Sequence, residues 1–245
     1  MSTLWSDARI LWQLARGQRR AGTLEERLVR FYGPQAERYD AFRERLLHGR
    51  EELVRMLDLP PRARVVELGG GTGRNLEFLE DRLAQLESVQ IVDLCSPLLE
   101  QARKRAQGHP NVRVTRGDAC SWKPAQAVDA VIFSYALTMI PDWFRAVDNA
   151  ISMLRPGGRL AVVDFYVSRH VPAPGLVRHG AFRRLFWPLW FAHDGVYLNP
   201  DHLPYLMAHC DCLFLEERFG DVPYLPAARI PYYLFVGRVR STEGV

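Results

Sequence analysis

From about residue 63 to residue 165 the chain alternates short apolar runs with helical patterns, and this alternation limits the possible folds more than any other feature. "ARVVEL" is followed by a helical pattern from about Gly73 to Ala84, then "VQIVDL", a helix in "PLLEQARKRAQ", "VRVTRGD", "DAVIFSYAL", a helix in "DWFRAVDNAISMLRPGG" and "RLAVVDFY". Strands separated by helices at this pitch build βαβ units, because consecutive parallel strands need a crossover between them. The expected class is α/β, an open doubly wound sheet with helices on both faces. Ligands of such sheets bind beyond the carboxyl ends of the strands. A chain of 245 residues holds one such domain with room for a few attached helices.

The first apolar run ends in an acid and a glycine turn, "VVELGGGTGRN". Gly69, Gly71 and Gly73 fall where the first strand turns into the first helix, and backbone without side chains there lets a ligand approach closely. A dinucleotide fingerprint, GxGxxG, fails: counted from Gly69 its last position is Arg74, and counted from Gly71 it is Leu76. A phosphate-binding Walker loop fails as well, since no GK[ST] closes the run. What remains is Glu67, Gly69, Gly71 and Gly73, with Asp93 ending the second strand. Asp93 stands 22 positions beyond Gly71, about where α/β nucleotide sites place a carboxylate for the ribose hydroxyls. Asp118, in "RGDACSW", ends the third strand.

The glycine run with acids at three successive strand ends resembles the class I S-adenosylmethionine-dependent methyltransferases over roughly residues 63 to 165. The resemblance implies a Rossmann-like, mostly parallel seven-stranded sheet, with S-adenosylmethionine as cofactor and S-adenosylhomocysteine as product. The cofactor contacts it implies are Glu67, Gly69, Gly71, Thr72, Asn75, Asp93, Leu94, Asp118, Ala119 and Ser134. Among these, Glu67 orients the loop and the methionine end, Asp93 holds the ribose, and Asp118 with Ala119 meets the adenine edge. Nucleic-acid amino methyltransferases of this fold often carry [DNS]PP[YF] after the fourth strand, stacking an aromatic on a flipped base. Here "FSYALTMIPDW" puts Ser134 and Tyr135 at that point without the proline pair. Nucleic acid is disfavoured, and a small molecule or lipid is the expected acceptor.

The flanking segments are more specific. "FYGPQAERYDAFRERLLHGREELV" before the core, "FSYALTMIPDW" within it, and "FWPLWFAHDGVYLNPDHLPYL" and "GDVPYLPAARIPYYLFVGR" after it resemble the N-methyltransferase of betaine-lipid synthesis, from about Phe31 to Arg238. That family converts diacylglyceryl homoserine into diacylglyceryl trimethylhomoserine. The resemblance implies a separate aminocarboxypropyl transferase to supply the substrate. It also implies an organisation of N-terminal helices over residues 1–58, facing the membrane and covering the cofactor, then a catalytic domain over 59–240. Within that domain, 168–200 forms an aromatic-rich lid or membrane insertion after strand 5.

Three successive methyl transfers need a neutral amine aligned with the methyl carbon, so position and desolvation matter more than a strong base. Aromatic faces hold an amine and a quaternary ammonium alike through cation–π attraction. Tyr32, Tyr39, Tyr135, Tyr232 and Tyr233 are the candidates for that wall. Arg50 and Arg229 are candidates for a bidentate grip on the homoserine carboxylate. Asp164, ending the fifth strand in "VVDFY", is the candidate to take a proton or hold the ammonium form.

The net charge of +4 comes almost entirely from arginine, which suits carboxylate or phosphate partners. Cysteines 95, 120, 210 and 212 show no CxxC spacing, which fits a reducing compartment, and no metal site is expected. No stretch reaches the ~18 apolar residues of a membrane span. "MSTLWSDARILWQLARGQRR" reads as a retained basic amphipathic helix rather than a signal peptide. "AFRRLFWPLWF" places aromatic rings beside Arg183 and Arg184, a composition suited to a headgroup interface. The expected location is cytoplasmic, peripheral on the inner face of the membrane. Two alternatives stand beside the lipid reading: a small-molecule methyltransferase acting on a quinone or an amino-acid-derived amine, and a non-catalytic S-adenosylmethionine-binding interaction module.

Overall fold

The computed structural model describes residues 22–33, 44–223, 225 and 228–240. The amphipathic helix expected within residues 1–20, Tyr39, and the tail beyond Arg240 lie outside the described residues.

The strands are β1 (Arg64–Leu68), β2 (Ser88–Asp93), β3 (Val112–Arg116), β4 (Val128–Ser134), β5 (Leu154–Phe165), β6 (Cys210–Asp221) and β7 (Arg229–Val239). They form one seven-stranded sheet in the order β3-β2-β1-β4-β5-β7-β6. β1 to β5 pair in parallel, and β7 runs antiparallel to both β5 and β6. The mostly parallel α/β sheet expected from the alternation is therefore present. β1 pairs with β2 on one side and β4 on the other, so the strand order reverses there and opens a crevice at the carboxyl ends of the strands.

The helices are α1 (Leu24–Tyr32), α2 (Arg50–Met56), α3 (Leu76–Leu79), α4 (Ser96–Arg105), α5 (Trp143–Met153), α6 (Ala181–Ala192) and α7 (His202–His209). Apolar clusters fill both faces of the sheet, which is why β1 and β4 read as near-continuous apolar runs rather than alternating ones. β7 shows the pleat: Tyr232 and Leu234 join one cluster, Tyr233 and Phe235 the other.

Two helices differ from expectation: α5 stops at Met153, so that Leu154 to Gly158 belong to β5, and the helix after the glycine turn is broken. The pattern from Gly73 to Ala84 is the four-residue α3 followed by a 3₁₀ run over Glu80–Gln85. Its buried leucines stand three apart, at 76 and 79 and again at 83 and 86, and that spacing matches the three-residue turn of a 3₁₀ helix.

α1 begins with a capping box, in which Thr23 accepts from the Glu26 amide and the Glu26 carboxylate accepts from the Thr23 amide. Those two bonds satisfy backbone donors that a free helix start would leave open. Phe31 and Tyr32 pack on Cys95 and Leu98, and Arg116 reaches Glu25 at 2.6 Å. α1 thus lies across the carboxyl end of the β2–β3 side of the sheet. After β5 the aromatic segment forms α6, whose Phe191 sits 5.3 Å from the Phe165 ring.

Candidate active site

The glycine turn is built by its surroundings. Gly69, Gly71 and Gly73 have φ of +70°, +52° and +68°, a region costly for residues with a Cβ. At Gly69 a Cβ would come within 2.5 Å of the Ala136 Cβ, so the turn leans directly on the segment after β4. Asp93 fixes the other side: one carboxylate oxygen accepts from the Gly71 amide at 2.9 Å and the other from the Cys95 amide at 2.7 Å. Burial raises its pKa, while these backbone donors oppose the rise.

Glu67, at the end of β1, is buried and accepts a 2.8 Å bond from the Asn75 side chain. Burial pushes its pKa up to about 8 against the pull of the Arg50 charge and the Asn75 bond. The acid therefore holds a proton more readily than an ordinary glutamate, and a positive charge brought beside it would favour the ionised form.

Around this frame lies a cleft of about 310 Å³. Glu67, Gly69, Gly71, Thr72 and Asn75 line its floor, with Asp93, Leu94, Asp118, Ala119 and Ser134 along the adjoining strand ends. Every residue expected to meet the cofactor therefore faces one cavity. The buried Asn75 Oδ1 and Ser134 Oγ have no partner among the described residues. Buried polar atoms are rarely left so, and these two offer an acceptor and a hydroxyl to a polar ligand.

Tyr32, Tyr135 and Arg50 close the other side of the cleft. Tyr135 has φ of +54°, unusual for a bulky residue and costing of order 1–3 kcal/mol unless its neighbours enforce it. They do: its hydroxyl donates to the His48 carbonyl at 2.7 Å, its amide donates to the Val163 carbonyl at 2.8 Å, and its ring lies 4.5 Å from Phe165. The Tyr32 hydroxyl donates to the Met139 sulfur at 3.3 Å.

Four other candidates stand elsewhere. Asp164 is completely buried and its carboxylate is consumed by the Thr138 amide and hydroxyl and the Phe165 amide. It is absent from the cleft lining and anchors the turn after β4. Tyr232 and Tyr233 are neighbours on β7, so the pleat sends them to opposite faces of the sheet, and neither lines the cleft. Arg229 is exposed at the start of β7, paired with Asp221 at 3.1 Å, and also lies outside the cleft.

The cleft also uses residues not singled out from the sequence: Leu24 and Leu28 of α1, Leu47, Met139, Ile140 and Arg145. The capping box at Thr23 followed by Leu24 and Leu28 was the available signal for a short amphipathic helix with an inward face. Nothing local marks Met139 to Arg145, which reach the cleft because the 3₁₀ turn Leu137–Met139 folds back from β4. Among the described residues no group of His, Cys, Asp and Glu is arranged to hold a metal ion.

Residues 65–158 match the family described as "Methyltransferase domain". A trans-aconitate 2-methyltransferase from Variovorax paradoxus is 34% identical over 113 residues, covering 46% of this chain and 42% of that protein. The chain thus spans about half the length of the curated relatives it matches. Among solved structures, the N-methyltransferase NodS of Bradyrhizobium japonicum in complex with S-adenosyl-L-homocysteine superposes with a TM-score of 0.65 at 14% identity, covering 87% of this chain and 99% of that one. The methyltransferase solved with the Haloferax volcanii Trm112 activator gives a TM-score of 0.69 at 15% identity, covering 89% and 100%. The fold is the Rossmann-like class I methyltransferase fold.

Proposed function

We propose that this chain is a methyltransferase that transfers methyl groups to the amine of an amino-acid headgroup, with diacylglyceryl homoserine as acceptor and its trimethylated betaine lipid as product. S-adenosylmethionine is the cofactor, and the glycine turn, Asp93, Asn75, Ser134 and the Asp118–Ala119 edge are the groups that hold it. When bound it would supply an electrophilic methyl to the acceptor nitrogen, with sulfur keeping the electron pair of the broken bond and the protons shed by the amine between transfers passing to water.

The chain's own contribution is a dry wall and a charge balance. Tyr32 and Tyr135 present aromatic surface beside Leu24, Leu28 and Met139, a lining that tolerates the amine and its quaternary product equally. One observation carries the choice of a zwitterionic amine over a polyanion: two of the three guanidinium groups of the cleft already face carboxylates, and the third, Arg50, stands beside Glu67, which burial holds toward its protonated form. Arg74 pairs with Glu44 and Glu77, and Arg145 lies 3.8 Å from Asp142. A headgroup with one amine and one carboxylate fits that balance, with Arg50 as the group for the carboxylate. An aminocarboxypropyl transferase would supply such a substrate.

A second reading, methylation of a small carboxylic acid or other small molecule, is favoured by the core similarity to trans-aconitate 2-methyltransferases. Mass spectrometry separates the two. The purified chain, incubated with methyl-labelled S-adenosylmethionine and diacylglyceryl homoserine, should yield a lipid three methyls heavier. Methyl esters formed from small acids with no lipid product would transfer the conclusion to the second reading.

A further inference from the structure

We propose that the outer face of α6 docks on an anionic lipid bilayer. Phe182, Leu185, Leu189 and Trp190 of this helix are 74, 66, 67 and 46% exposed, whereas Trp187 and Phe191 are 2 and 4% exposed. The helix therefore has a packed apolar face and a second apolar face turned to solvent, the reverse of an ordinary surface helix. The outer face is preorganised: Phe182 stacks on Phe186 at 5.2 Å, and Phe186 lies 5.6 Å from Trp190. Val171, 77% exposed, extends the apolar surface along the preceding segment.

Charge decides what covers it. From residue 165 to residue 193 there is no Asp or Glu, while Arg169, Arg178, Arg183 and Arg184 all occur. Arg169 pairs with Asp201, Arg178 and Arg183 are exposed, and the Arg183 guanidinium lies 4.8 Å from the centre of the Phe219 ring. A second copy meeting this face across a two-fold axis would bring the same arginines against each other. Anionic headgroups would instead neutralise them while the rings enter the boundary between headgroup and acyl chain. The twelve residues of α6 rise about 18 Å at 1.5 Å each, well short of a span, so the helix lies in the plane of the surface. From there the path to the cleft is short: Phe191 touches Phe165, and Phe165 touches Tyr135.

The inference deepens the lipid-acceptor reading and rests on it for its purpose, but the binding is measured separately. Co-sedimentation uses vesicles free of acceptor lipid, either phosphatidylcholine alone or phosphatidylcholine mixed with phosphatidylglycerol, and methyl transfer is measured in parallel on diacylglyceryl homoserine in detergent micelles. The unaltered chain should bind the anionic vesicles at least about tenfold better than the neutral ones, and less so in high salt. L185D with L189D should lose that binding yet keep micellar activity, and R178E with R183E should lose the preference for anionic lipid. Vesicle binding unchanged in both double variants would overturn the proposal, as would a dimer in solution that L185D with L189D converts to monomer. Intact vesicle binding with no transfer to the micellar lipid would leave the docking face standing and remove the acceptor reading.

Discussion

The hydroxyl of Tyr135 donates a 2.7 Å hydrogen bond to the backbone carbonyl of His48. That bond joins the segment after β4 to the segment leading into α2, and so joins the wall of the cleft to the stretch that places Arg50 at its edge. It also helps hold Tyr135 at a positive φ of 54°. Tyr135→Phe keeps the ring and removes the bond, leaving the His48 carbonyl to find another donor. The expected loss of stability is about 1 kcal/mol. Because the ring remains, cofactor affinity should be unchanged while turnover falls as Arg50 loses its support. Calorimetric titration with S-adenosylhomocysteine beside steady-state kinetics checks both halves, and a parallel loss of cofactor affinity would contradict them.

Asp164 invites a different test, because its position at a strand end resembles that of a catalytic acid while its contacts are those of an anchor. Three donors converge on it, from the Thr138 amide and hydroxyl and the Phe165 amide. Asp164→Asn would turn an amide N–H₂ toward one of those donors and should cost roughly 2 kcal/mol. Activity per folded molecule should persist at a temperature below the lowered melting point. A variant that unfolds normally but transfers no methyl would restore Asp164 to the chemistry.

These two residues mark where sequence reading succeeds and where it stops. Glu67, Asp93 and Asp118 were legible because strand order fixes which ends meet at the crevice, and the glycine turn between them admits few alternatives. Asp164 obeys the same rule of position, but where its side chain points depends on the 3₁₀ turn holding Thr138, which no local pattern announces. Tyr232 and Tyr233 were separable in principle, since adjacent residues on a strand cannot share a face. Arg229 lacked any such signal: its partner, Asp221, is supplied by the antiparallel register of β6 with β7. The break in the helix after Gly73 likewise follows from leucine spacing that fits a 3₁₀ turn as well as an α turn.

Gly69→Ala and Gly108→Ala form a matched pair. Both glycines have positive φ, +70° and +85°, but an added Cβ meets the Ala136 Cβ at 2.5 Å in the first case and nothing within 4 Å in the second. Gly108→Ala should cost only the conformational strain, about 1 kcal/mol. Gly69→Ala adds the overlap between two backbone-rooted groups and should cost roughly 3 kcal/mol in all. Urea unfolding of the two variants gives the difference directly, and equal losses would mean that the glycine turn does not rest on Ala136.

Burial raises the pKa of Glu67 along with those of Asp93 and Asp164, and the contributions of Glu67 to stability and to cofactor binding should run with opposite signs as the pH changes. The Glu67 pKa rises from 4.5 to about 8, so between those values the folded chain without cofactor binds more protons than the unfolded one. Stability contributed by this group is therefore present in full below about 4.5 and lost as the pH rises through about 8. A cationic cofactor held beside Glu67 would work against the proton, since the carboxylate would have to ionise to face a positive charge. Affinity for S-adenosylmethionine should accordingly tighten as the pH rises toward 8, by up to about tenfold per unit, and level off beyond it. Glu67→Gln keeps an acceptor for Asn75 but cannot titrate, so its dissociation constant should be weaker at pH 8 and nearly flat with pH. Calorimetric titrations of both proteins between pH 6 and 9, the range that brackets this pKa, decide the matter. Equal slopes in the two proteins would assign the proton to another group, with Asp93, also raised by burial, as the next to replace.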